Sequence, residues 1–253
     1  MLRRLGDSLL VALGFLTILP VGKRAAARER AWGWTTAWFP VIGLLIGLVL
    51  YAGMALPLPP VPRAALLVAL WVGVSGGLHE DGWADCVDAA FAPTGRERRL
   101  KILKDPHVGA HGASGLAILL LLRFAGLTAV PASAVLAAPV VGRWAMVLSL
   151  ALTTPARPTG LGARFAVSAR PVAATLATAI TLGGLALVFS PGRLLAAWSL
   201  GAITGGACAL FLSRRFGGLT GDGHGAVGLA AELVALWAFL PLPASLGAHQ
   251  PWP

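Results

Sequence analysis

The chain has 253 residues, 57% of them hydrophobic and only 12% charged, with a formal net charge of +10. Soluble domains carry about 25% charged residues, so this composition, with a mean hydropathy of +0.79, excludes an ordinary water-soluble fold. Two cysteines, Cys86 and Cys208, are too few for the disulfide framework of a secreted domain.

The first segment, Met1 to Ala27, imitates a signal peptide: Arg3 and Arg4 precede an apolar run, and Ala25-Ala26-Ala27 resembles a cleavage site. Asp7 interrupts the basic region, however, and Pro20-Val21-Gly22-Lys23-Arg24 separates the run from the alanines. The segment is therefore expected to be retained as an interfacial helix. Apolar stretches long enough to cross about 30 Å of hydrocarbon follow near 37–56, 62–78, 109–130, 132–152, 171–190, 194–213 and 225–246. Pro57-Leu58-Pro59-Pro60 breaks the first pair, and Pro131, Pro171 and Pro191 fall between or at the ends of others, where proline is tolerated. The expected architecture is all-α: a polytopic transmembrane bundle of six to seven spanning helices plus the N-terminal interfacial helix. It forms one integral membrane domain over 1–253, with active-site segments at about 79–112 and 214–225.

The basic residues orient this bundle. With the N-terminus inside, the inner side receives Arg3, Arg4, Lys23, Arg24, Arg28, Arg30, Arg96, Arg98, Arg99, Lys101, Lys104, Arg157, Arg164, Arg170, Arg214 and Arg215. The outer side receives Arg63, Arg123 and Arg193, and Arg143 falls within a helix. Such asymmetry satisfies the positive-inside rule and places the N-terminus and the active-site segments in the cytoplasm. The net charge needs no nucleic acid to explain it.

Of ten acidic residues, six lie between 80 and 105: Glu80, Asp81, Asp85, Asp88, Glu97 and Asp105. Asp81, Asp85 and Asp88 are spaced i, i+4, i+7, within about 60° of one another on a helix. Carboxylates so placed repel each other unless a cation intervenes, and all-oxygen ligation suits a hard ion such as Mg²⁺ bridging to substrate phosphates. His79 falls on the opposite side if the helix reaches back to it, although Gly76-Gly77 can break it first. Glu97 reads as a solvated loop residue among Arg96, Arg98, Arg99, Lys101 and Lys104. Two glycine-rich elements accompany the stripe. Asp105-Pro106-His107-Val108-Gly109-Ala110-His111-Gly112 precedes an apolar helix, where backbone amides can meet a phosphate. Gly217-Gly218-Leu219-Thr220-Gly221-Asp222-Gly223-His224-Gly225 is either a flexible turn or a third part of one site. Arg143, inside the membrane, either meets a phosphate or neutralises an aspartate.

These residues resemble the cobalamin synthase (adenosylcobinamide-GDP ribazoletransferase) family of bacterial and archaeal inner membranes. Phe15-Leu16-Thr17-Ile18-Leu19-Pro20 and Phe39-Pro40-Val41-Ile42-Gly43 match its early elements. His79, Asp81, Gly82, Asp85 and Asp88 match its His-x-Asp-Gly-x-x-Asp-x-x-Asp segment; Lys104, Asp105, Gly109 and Gly112 match a third element, and Gly217, Gly218, Thr220, Gly221 and Asp222 a fourth. Departures include Glu80 where an apolar residue is usual and Pro106 where serine is common. The resemblance implies that α-ribazole, or its 5′-phosphate, attacks the phosphate attached to cobinamide in adenosylcobinamide-GDP, releasing GMP. It implies Mg²⁺ held by Asp81, Asp85 and Asp88, with Asp222 and Asp105 as further ligands or substrate contacts. It also implies a proton acceptor in Asp88 or His79, phosphate binding by Arg143 and Lys104, and substrate contacts from Gly109, Gly112, Thr220 and Gly221. Rival readings are a CDP-alcohol phosphatidyltransferase, whose pattern has arginine where Asp85 follows Ala84, and a cation transporter, whose acids belong at mid-membrane. Homo-oligomerisation is left open.

Overall fold

In the computed structural model, which describes residues 2–168 and 171–241, the chain is helical throughout apart from its turns. Arg170 and the end of the 225–246 stretch lie outside the described residues. Helix α1 (Leu2–Leu16) and the short α2 (Lys23–Ala26) lead through a 3₁₀ stretch, Glu29–Trp38, into α3 (Phe39–Met54). There follow α4 (Pro60–Ser75), α5 (Leu78–Phe91), α6 (Arg96–Ile102), α7 (Ala110–Ala129) and α8 (Ala134–Leu152). The chain continues with α9 (Leu161–Ser168), α10 (Pro171–Ala186), α11 (Pro191–Phe216) and α12 (Gly221–Trp237). Proline opens α4, α10 and α11, where its missing N–H and fixed φ cost nothing.

Among the described residues, four helical stretches are long and apolar enough to cross a membrane: Ala31–Met54, Ala110–Ala129, Ala134–Leu152 and Gly192–Phe216. The pair α4 and α5, bent by 92°, adds a fifth if taken as one broken span. The difference from the six or seven expected lies in α4, α10 and α12, apolar helices of only 16, 16 and 17 residues. Gly76 and Gly77, with φ of 68° and 67°, end α4 in the left-handed region and turn the chain into α5. With four acids in its 14 residues, α5 is not by itself long and apolar enough to be a span.

The centre of the bundle is α8, buried along nearly its whole length against α3, α10, α11 and α12. Lipid is as apolar as leucine, so helices in a membrane associate by close packing of small residues. Gly43 and Gly47 of α3 show this: a Cβ at Gly43 would stand 2.5 Å from the Pro139 carbonyl oxygen, and one at Gly47 2.9 Å from Leu136 Cα. Leucines and isoleucines on the outer faces of α7 and α11 remain exposed, as lipid contact requires. As expected of an interfacial helix, α1 buries Val11, Ala12 and Leu16, leaves Arg3 and Arg4 exposed, and ties Asp7 to Arg28 at 3.0 Å.

Candidate active site

The aspartates are brought together where α5 crosses the start of α12. No side chain separates the helices there: a Cβ at Gly82 would lie 3.0 Å from Asp222 Cα. Asp222 therefore stands beside the turn carrying Asp81 and Asp85. Its own position is fixed by Thr220, whose Oγ1 accepts from the Gly223 amide at 3.2 Å and caps α12. Gly221 follows that cap, exposed. The connection between α8 and α9 is clamped to the same place, because Leu219 and residues 154–156 exchange backbone hydrogen bonds of 2.9 and 2.8 Å.

Asp81 is exposed and Asp85 half-buried. Burial, and then the charges of Asp81, Asp222 and Asp88, push the Asp85 carboxyl up to about 6. A cation among these groups would relieve that repulsion, and the donors are all carboxylate oxygens, which fits a hard divalent ion. Among the described residues, no three His, Cys, Asp or Glu side chains are arranged to hold an ion by themselves. Mg²⁺ characteristically keeps several waters and takes ligands from substrate phosphates, so two carboxylates suffice for it.

Several expected site residues do something else. Asp88 accepts hydrogen bonds from the Gly109 amide at 2.7 Å and the Gly112 amide at 2.8 Å, so it caps the N-terminus of α7 from a neighbouring helix. The glycine amides expected at a phosphate are thus already engaged. A Cβ at Gly112 would stand 2.2 Å from Asp88 Oδ2, so close packing explains that glycine as well. His79 faces inward beneath Gly225, buried, with neither ring nitrogen hydrogen-bonded; it is withdrawn from the open face of the aspartates. Lys104 and Asp105 lie exposed between α6 and α7. The His107 amide and ring nitrogen lie 3.1 and 2.7 Å from Asp105 Oδ1, and these bonds hold the Asp105 carboxyl below the usual carboxylate range.

Arg143 does not reach the site face: it is buried and bonds to Glu232 of α12. Arg123, assigned above to the outer side, is 1% exposed in the interior of α7. It donates to Glu80 at 2.8 Å and to Glu232 at 2.7 Å and lies 4.6 Å from the centre of the Trp71 ring. The positive-inside count places Arg123 on the outer side, whereas its position in the 109–130 apolar run already pointed to a buried pairing. The lone Glu232 within the last apolar run carried the same signal. This network locks α5 and α12, which present the aspartates, to α7 and α8.

One end of the bundle also gathers positive charge. Arg96 Nε of α6 donates to the Phe216 carbonyl at 2.8 Å, and Arg157 bonds to the Leu100 carbonyl. On the other flank Arg164 lies 4.1 Å from the centre of the Trp32 ring, joining the N-terminal segment to the same end.

An all-helical bundle with several helices apolar enough to span a bilayer and an acidic, solvent-facing site at one end has the architecture of an integral membrane protein. The chain belongs to the family described as cobalamin-5-phosphate synthase, whose model matches residues 8–240. It is 42% identical to the adenosylcobinamide-GDP ribazoletransferase of Pseudomonas paraeruginosa over 243 residues, 92% of this chain and 97% of the relative. The protein of the same name from Roseiflexus sp. strain RS-1 is 38% identical over 243 residues, 89% of this chain and 86% of the relative. That from Geotalea daltonii is 36% identical over 247 residues, 92% of this chain and 96% of the relative. No solved structure gives a significant match. Membership makes the protein a transferase of cobalamin synthesis.

Proposed function

We propose that the protein transfers α-ribazole, or its 5′-phosphate, onto adenosylcobinamide-GDP in a Mg²⁺-dependent reaction. The observation that carries this reading is the convergence of Asp81, Asp85 and Asp222 at the glycine crossing of α5 and α12. The acceptor hydroxyl oxygen forms a bond to the phosphorus attached to cobinamide, and the bond from that phosphorus to the bridging oxygen breaks. GMP leaves with that oxygen, and the hydroxyl proton passes to a carboxylate on the open face. Displacement at a diphosphate requires positioning and charge neutralisation more than a nucleophilic side chain. Two carboxylates from among Asp81, Asp85 and Asp222 would hold Mg²⁺, which would neutralise the diphosphate. Asp88 keeps the start of α7 in place, and Lys104 offers charge to phosphate oxygens from the rim. We assign the aspartate end to the cytoplasmic side of a bacterial inner membrane, because the basic residues of α6 and of the α11 C-terminus gather there.

The test uses purified protein in lipid nanodiscs with adenosylcobinamide-GDP, α-ribazole 5′-phosphate and Mg²⁺, following GMP and corrinoid product. Product is expected from wild type only with metal, and a fall of at least about a hundredfold in Asp81→Asn and Asp222→Asn. Folded wild type that releases no GMP with any divalent ion would sink the assignment and turn attention to cation flux.

A further inference from the structure

A crevice of about 390 Å³ opens where α5, the end of α6 and the start of α7 meet, lined by Asp88, Ile102, Asp105, His107, Val108 and His111. Its size falls in the range of small-ligand sites. One end touches the aspartate stripe through Asp88, whose carboxylate is held by the Gly109 and Gly112 amides. Just outside it Phe91, an exposed aromatic, stacks on His111 with ring centroids 6.3 Å apart and planes 19° from parallel. Across from that flat surface stands Asp105, with 54% of its side chain exposed. Arg98 is the cation whose charge reaches Asp105, and Lys104, exposed, precedes it in the chain.

We propose that this crevice is the guanine subsite, with Asp105 as its specificity-determining residue: the base lies against His111 and Phe91 while the Asp105 carboxylate accepts its N1–H and 2-amino hydrogens. The inference rests on the transfer reaction proposed above. Guanine alone among the common bases presents two adjacent N–H donors on its pairing edge, and a carboxylate offers two acceptors at matching separation. His107 donates to Oδ1 from both its amide and its ring, so Oδ2 is the open acceptor, and the His107 ring, 89% exposed, swings away to free Oδ1 for the second hydrogen of the base. With the base so placed, the diphosphate runs past Asp88 toward Asp85 and Asp81, and the positive flank of α6 meets the leaving nucleotide. An adenine at this position would bring its acceptor N1 against the carboxylate, so it is rejected. The crevice thus explains why Asp105, exposed and remote from Asp222, belongs to the same site.

The experiment measures inhibition of corrinoid product formation by GMP, IMP, XMP and AMP on the nanodisc protein, for wild type, Asp105→Asn and His111→Ala. Hypoxanthine keeps N1–H but lacks the 2-amino group, so IMP is expected to bind about tenfold or more weaker than GMP, as loss of a hydrogen bond to a charged acceptor implies. Asn at 105 presents one donor and one acceptor, which match the O2 and N1–H of xanthine. Asp105→Asn should therefore lose GMP by about tenfold or more and gain XMP, a reversal that a merely structural role cannot produce. His111→Ala should weaken all four nucleotides by a similar factor without changing their order. Equal inhibition of wild type by GMP and IMP, or an Asn variant that still prefers GMP to XMP, would overturn the subsite while leaving the transferase standing. Absence of wild-type turnover would instead remove the reaction on which the subsite rests.

Discussion

Glu232 accepts from Arg123 and Arg143 in the interior of the bundle, and Arg123 is shared with Glu80, so two buried acids and two buried bases neutralise one another. Removing one member leaves a buried charge without its partner, at a cost of about 3–5 kcal/mol, whereas removing an opposite pair can be nearly neutral. Glu232→Ala is therefore expected to melt well below wild type in detergent, because Arg143 loses its partner. The double variant Glu232→Leu, Arg143→Leu leaves the Glu80–Arg123 pair balanced and should recover most of that loss. A single variant as stable as wild type, or a double variant less stable than the single, would contradict the network. The aspartate stripe was legible in the sequence because its partners are four and three residues apart. The ion network was not, because its contacts join residues 43, 89 and 109 positions apart. A spacing rule cannot see these contacts, even though each lone charge in an apolar run announced a partner somewhere.

At the scale of elements, the site depends on how closely α5 approaches α12. Gly82 permits it: a Cβ there would press at 3.0 Å on Asp222 Cα and 3.2 Å on Asp222 Cβ, backbone and root atoms that cannot swing away. Gly82→Ala is expected to push the helices apart by a few tenths of an ångström or more and to cut GMP release by about ten- to a hundredfold, since small misplacements of reacting groups are costly. Gly73→Ala, on α4 where a Cβ meets nothing within 4 Å, serves as the control and should leave activity unchanged. Equal activity of the two variants would separate the crossing from the chemistry. The helices themselves were legible as apolar runs bounded by proline, and so was the glycine-rich start of α12. The 92° turn between α4 and α5 was visible only as a pair of glycines. Its angle is set by their left-handed φ and by what α5 packs against, which local sequence does not encode.

At the scale of the molecule, the asymmetry of charge predicts which way the bundle faces. Helix α6, held to the C-terminus of α11 by Arg96 and to the α8–α9 connection by Arg157, sits at the aspartate end. The start of α4, with Val61 exposed, lies at the other end of a helix whose last turn leads into α5. Cysteine labelling can read this directly, provided the native thiols stay silent. Cys86 is 1% exposed and buried under α12, while Cys208 is half-buried and should be removed as Cys208→Ser. In that background a membrane-impermeant maleimide should label Arg98→Cys in inverted vesicles and not in intact cells, and Val61→Cys in intact cells only. Labelling of both positions from one side would mean that α4 enters and leaves the same face. Reversed labelling would put the aspartates outside, away from a cytoplasmic nucleotide pool. The positive-inside rule predicts neither outcome, because the basic residues clustered on α6 and the α11 C-terminus resist translocation most strongly when they flank short connections such as these.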